Sequence, residues 1–133
     1  IFSGILLIGC RSSPETSFDN LTKAFISWYF KYNPVESTRY GMAKYHGKFR
    51  LMETLDNKEY LEDISRFIIE LSQIDVTKLS PDIRIDYHIL NSFLKKNRYI
   101  MKDIRPWEWS PLWVLDEISH GLFQGPWMTS MSS

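Results

Sequence analysis

Three histidines and one cysteine are the residues of this chain best suited to metal or nucleophilic chemistry: His46, His88, His120 and Cys10. A zinc site takes three or four ligands from His, Cys and carboxylates, set close together by the fold. The sequence instead spreads its histidines over a loop, a helix and a helix end. Glu117-Ile118-Ser119-His120 has the Glu-x-x-His spacing of di-iron bundles. Those sites need a second copy of the motif and two further glutamates on facing helices, and no second copy is present. The reading is therefore no metal site and no catalytic residue. Asp82, Arg84 and Asp86 could suggest acid–base work. An acid-rich first turn of a helix explains them better, with Arg84 reaching a neighbouring carboxylate. Asp86 and Tyr87 are expected to be partly buried and to reach the segment Pro34–Gly41. Trp107, Trp109 and Trp113 crowd one corner, where packing is favoured over a substrate cleft.

Cys10 carries a different chemistry. It follows Ile1 to Gly9, an almost wholly apolar run. That run is too short to cross a bilayer, which takes about 20 residues, but it suits the apolar core of a signal peptide. Leu7-Ile8-Gly9-Cys10 resembles the lipobox of bacterial lipoproteins. Gly9 gives a peptidase access, and the Cys10 thiol accepts a diacylglyceryl group. A buried strand with an incidental cysteine is the alternative. Residues 1–10 are thus expected to be the end of a signal peptide, without its basic start. Residues 11–17 would be a tether, 18–123 a helical domain and 124–133 an irregular tail. The implied address is the bacterial cell envelope, with a lipid anchor in a membrane.

Composition sets the limits. The chain has 133 residues, 16 basic and 16 acidic, giving zero formal charge. A nucleic-acid binder would show a basic surplus, so nucleic acid is not an expected partner. Hydrophobic residues are 44% and aromatics 15%, enough for one globular core. One cysteine allows no internal disulfide.

The elements that would position these residues are helices. The clearest runs from Leu79 to Met101. Ser80 is placed as its cap, with its hydroxyl accepting from the first turn. Pro81 sits at the first helical position. Ile83, Tyr87, Leu90, Leu94 and Met101 share one face, and Lys95, Lys96, Arg98 and Lys102 favour the C-terminal end. Before it, Asn57–Gln73 carries the stripe Tyr60, Leu61, Ile64, Phe67, Ile68 and Leu71. A first helix, Phe18–Tyr32, uses Leu21, Phe25, Trp28, Tyr29 and Tyr32, with Ser17 or Asp19 as cap. Asn33-Pro34 ends it. A two-turn helix over Val35–Tyr40 closes on Gly41 as a left-handed cap. Ala43–Asp56 reads as an irregular loop that places Tyr45, Phe49 and Leu55 on the helices. After Arg105-Pro106, Ser110 caps a short helix from Pro111 with Leu112, Leu115 and Ile118 apolar. No strand pattern or repeat is present. The fold class is all-α: an antiparallel bundle of about four to five helices.

Three segments resemble the N-terminal region of the bacterial family called domain of unknown function 885. The first is Pro34-Val35-Glu36-Ser37-Thr38-Arg39-Tyr40-Gly41, similar to that family's Pro-x-x-x-Thr-x-x-Gly. The second is Ile74-Asp75 with Leu79-Ser80-Pro81-Asp82 and Asp86-Tyr87-x-x-Leu90. The third is Trp109-Ser110-Pro111 before a helix ending in Gly121-Leu122. Members look like large all-helical zinc peptidases, often secreted or lipid-anchored. The resemblance implies an H-E-x-x-H helix further along, where two His bind zinc and Glu activates water. This chain has no such motif, so it implies no cofactor within these residues and no catalytic residue to carry over. Structural roles are implied for Pro34, Thr38, Gly41, Ser80, Pro81, Asp86 and Tyr87. Two function classes follow. One is the helical scaffold of a lipid-anchored metallopeptidase-like protein, whose partners are the membrane and the remainder of the catalytic domain. The other is a free-standing lipoprotein domain with a binding or structural role. The apolar spread of the Pro111–His120 helix leads to an expectation that the chain is a fragment with a bare apolar surface.

Overall fold

Hydrophobic stripes at helical spacing bury three long helices on one another. The computed structural model describes residues 12–45 and 54–119. Helices α1 (Pro14–Tyr32), α3 (Thr54–Ser72) and α4 (Pro81–Tyr99) form the bundle, and α2 (Pro34–Arg39) and α5 (Pro111–Ser119) are short. Among the described residues there is no strand, and no helix is long and apolar enough to cross a membrane. The fold is an all-α bundle. α3 runs antiparallel to α1, pairing Trp28 with Tyr60 and Phe25 with Phe67. α4 runs parallel to α1, pairing Phe18 with Tyr87 and Phe25 with Phe93.

The core lies where the stripes meet. Leu21, Trp28 and Tyr32 come from α1, Tyr60, Ile64, Phe67 and Leu71 from α3, and Tyr87, Leu90 and Leu94 from α4. Leu79 enters from the α3–α4 link and Met101 from beyond α4. Ile83 is only half-buried. The aromatic excess of the sequence is concentrated here. Neighbouring rings stand 4.8–6.2 Å apart, mostly tilted or edge-on, arrangements that suit the ring quadrupole better than face-to-face stacking.

The helix boundaries correct several expectations. α1 begins at Pro14, four residues before Phe18, so Pro14–Ser17 is helix and not tether. Ser13 supplies the cap in place of Ser17 or Asp19: its Oγ accepts from Thr16 N–H at 3.1 Å, and Pro14 takes the first helical position. α3 starts at Thr54, three residues before Asn57. The loop assigned to 43–56 is therefore shorter. It opens with a 3₁₀ turn at Ala43–Tyr45, and Phe49 lies outside the described residues.

α2 matches the two-turn expectation. Tyr40 is its cap residue, and Gly41 follows at φ +75°. Gly41 N–H bonds to Thr38 C=O at 3.0 Å and Met42 N–H to Ser37 C=O at 2.9 Å. This pairing of two amides with the last carbonyls is a Schellman motif, which asks for glycine at its left-handed position.

The C-terminal end of α4 differs from a plain helix. Ile100–Ile104 is a π-helical turn, closed by Arg105 N–H on Ile100 C=O at 2.9 Å. Arg105 is left-handed, at φ 47°. Pro106 cannot donate the next helical bond, and a 3₁₀ turn, Pro106–Glu108, redirects the chain into α5. Ser110 Oγ accepts from Trp113 N–H at 3.4 Å, a long version of the expected cap.

Candidate functional site

Three places on the bundle gather polar or unpaired apolar groups, and each is set by helix register.

The first is the end where α1 and α4 both start. Ser80 has the extended backbone of a cap residue, but its side chain makes no cap bond. Its own N–H donates instead to Glu15 Oε1 of α1 at 3.1 Å. The expected role of the Ser80 hydroxyl is thus corrected. Ser80 ties two helix starts together through its backbone, and Pro81 pre-sets the turn. Beside it, Asp75 Oδ1 accepts from Thr77 Oγ1 at 2.6 Å and from Thr77 N–H at 3.1 Å. Lys78 Nζ lies 3.1 Å from Asp75 Oδ2. The Thr77 hydroxyl first, and Lys78 after it, hold this carboxyl below its ordinary value. A shallow depression at this end is lined by Ser13, Ser17, Asn20, Gln73 and Asp75 among others. One consequence is testable. Ser13→Ala should cost about 1 kcal/mol, from the lost cap bond, whereas Ser80→Ala should cost at most a few tenths. Urea midpoints of the two variants check this, and equal losses would contradict the geometry.

The second is a polar tie at the edge of the core. Trp28 Nε1 donates to Asp63 Oδ2 at 2.9 Å, and Arg66 Nη2 donates to Asp63 Oδ1 at 2.6 Å. One carboxylate thus satisfies an indole of α1 and a guanidinium of α3. The Asp63 hydrogen bond raises the pKa of Arg66 against a smaller opposing effect of burial. The Arg66 guanidinium also covers the Phe67 ring at 5.0 Å. In the sequence Asp63 stands three residues after Tyr60 and four before Phe67, which puts it beside the apolar stripe.

The third is the corner after α4. Trp107 is half-buried against the core, 6.2 Å from Trp113. Trp109 does not join them. It is 67% exposed, with Nε1 donating to Ile104 C=O at 2.9 Å. Leu112 is 76% exposed, and Leu115 and Ile118 are exposed as well. These three apolar positions of α5 are thus exposed rather than part of the core.

The remaining motif residues have structural settings. Pro34 and Thr38 are buried, and Thr38 Oγ1 donates to Pro34 C=O at 3.2 Å. Tyr87 is buried against Phe18 of α1, 6.2 Å between rings, rather than against 34–41. Asp86 is exposed, contrary to expectation, because it is one residue off the buried face of α4. Arg84 donates to Leu79 C=O at 3.1 Å and not to a carboxylate. His88 is exposed beside Tyr87. Cys10, His46, His120 and the tail 124–133 lie outside the described residues. Among the described residues no three His, Cys, Asp or Glu side chains converge as metal ligands would. No family model matches the chain, and neither a curated protein nor a solved structure does.

Proposed function

We propose that this chain is the N-terminal helical scaffold of a lipid-anchored, zinc-metallopeptidase-like protein of the bacterial cell envelope, anchored through Cys10 on the periplasmic or extracellular side of a membrane. The described residues do not fit a zinc site themselves, since His88 is the only described histidine and is exposed. In this reading zinc and its H-E-x-x-H ligands belong to further helices, and the present residues position them. The observation that carries the proposal is the exposed apolar face of α5, formed by Leu112, Leu115 and Ile118 beside Trp109. Such a face on a helix joined to a filled core is suited to burial by more protein.

Its location favours protein over lipid as the cover. Cys10 precedes Pro14 by four residues, so a lipid tether would join the bundle where α1 starts. α5 follows the far end of α4, and a 19-residue helix such as α1 or α4 is about 28 Å long. In this reading a lipid anchor and the start of α5 would lie toward opposite ends of the bundle. The segments shared with the family resemblance also fall at structural joints: α2 with its Gly41 cap, the Ser80-Pro81 start of α4, and the Ser110-Pro111 start of α5.

The test uses residues 11–133 in hydrophobic-dye binding and sedimentation. The expected result is strong dye binding and self-association, both reduced by Leu112→Ser with Leu115→Ser. A compact monomer that binds no dye and unfolds in one cooperative step would sink the scaffold reading.

A further inference from the structure

α4 carries an apolar strip that the core does not use. Ile85 and Ile89 are 60% and 62% exposed. Phe93 is half-buried, with its ring 5.6 Å from that of Phe25 on α1. The three stand four residues apart on one face, beside the buried row Tyr87, Leu90 and Leu94. Asp82 lies seven residues before Ile89 and Lys96 seven after it, so both share the face. Both are exposed, as is Asp86 one turn on from Asp82. None of these three charges makes an ion pair with any described residue. The dipole of α4 favours acid at its start and base at its end. It gives no reason for two isoleucines in water between them.

We propose that this face pairs α4 with α4 of a second copy of the chain, antiparallel, across a twofold axis at Ile89. In a twofold interface each residue meets a position equally far from the axis on the other side. Ile89 then meets its own counterpart. Ile85, four residues before the axis, meets Phe93, four residues after it. Asp82, seven before, meets Lys96, seven after. Every apolar position thus faces an apolar one, and each of these unpaired charges faces its opposite. Asp86 flanks the same Lys96 one turn along. The face is its own complement, which a twofold contact requires and a contact with an unlike partner does not. The helix dipole sets acid and base at opposite ends, and antiparallel packing turns that asymmetry into two intermolecular ion pairs. One helix from each copy makes a contact at the low end of specific interfaces, so the dimer dissociates at about 10–100 μM. The strip is separate from the α5 face, so either assignment can fail without the other.

The test is sedimentation equilibrium of the full 133-residue chain, with Leu112→Ser and Leu115→Ser in every sample so that α5 does not contribute. A monomer–dimer equilibrium is expected. Asp82→Lys alone sets lysine against lysine, and Lys96→Asp alone sets aspartate against aspartate. Each should weaken the dimer about tenfold, because two exposed attractions become repulsions. Mixed in equal amounts, the two variants restore both ion pairs and should form a heterodimer as tight as the parent. Ile89→Lys puts two ammonium groups on the axis and should leave a monomer. Ile69→Lys, the same change at an exposed isoleucine of α3, should leave association unchanged. Circular dichroism establishes that each variant is folded, and the mixture of the two charge variants gives the decision without Ile89→Lys if that variant is not. A parent chain that is monomeric up to about 0.5 mM, a mixture no tighter than either variant alone, or an equal loss with Ile69→Lys would each overturn the proposal. So would a monomer that binds phosphatidylglycerol vesicles through Ile89, which would make the strip a lipid-facing surface.

Discussion

Phe67→Ala should remove about 3–5 kcal/mol of stability, the usual cost of a large aromatic cavity in a core. Phe67 is 2% exposed at the centre of the α1–α3 contact. Its ring stands 5.4 Å from Trp28 and 5.8 Å edge-on to Phe25, with the Arg66 guanidinium over it. Truncation would strip contact from both rings at once, and the long helices around the site cannot close the gap without moving other core residues. A small domain holds only about 5–15 kcal/mol in total, so the variant should unfold at a much lower urea concentration. Ile69→Ala, two residues along on the exposed side of α3, should change stability by less than about 1 kcal/mol. Urea titration followed by circular dichroism checks both. A Phe67→Ala loss no larger than the Ile69→Ala loss would mean that the ring cluster is not the core.

Cys10→Ala should abolish lipid attachment, an all-or-none effect. With a complete signal sequence in a bacterial host, the wild-type chain is expected to incorporate labelled fatty acid and enter the detergent phase. Each buried methylene contributes about 0.8 kcal/mol, so one chain holds marginally while two or more hold stably. Without the thiol there is no acceptor for the diacylglyceryl group, and the label should be lost from the protein. Incorporation by Cys10→Ala equal to wild type would remove the lipobox reading and, with it, the envelope address. The bundle itself should be indifferent to this change. A variant that lost both label and helical content would point to a structural role for Cys10 instead.

Local chemistry alone determined much of this protein. Apolar residues recurring at three and four positions can be buried together only on one helical face, so Tyr60, Ile64, Phe67 and Leu71, or Tyr87, Leu90 and Leu94, declare both helix and core side. Gly41 declared its left-handed position in the same way, because a β-carbon is penalised there. Other features needed partners distant in sequence. Ser13 and Ser80 each stand before Pro and an acidic residue, and nothing local separates them. Ser13 uses its hydroxyl as a cap, while Ser80 is tied through its backbone to Glu15, 65 residues away. Asp63 reads as a surface acid until α1 brings the Trp28 indole to it. Arg105 shows no sign of its left-handed backbone, which follows from the π-helical turn and from Pro106 after it. Leu112 and Leu115 have core composition, yet burial requires a surface to face, and the described bundle presents none to them. Periodicity reports which face of a helix is apolar. Only the packing of distant segments decides what that face, or a polar group beside it, will touch.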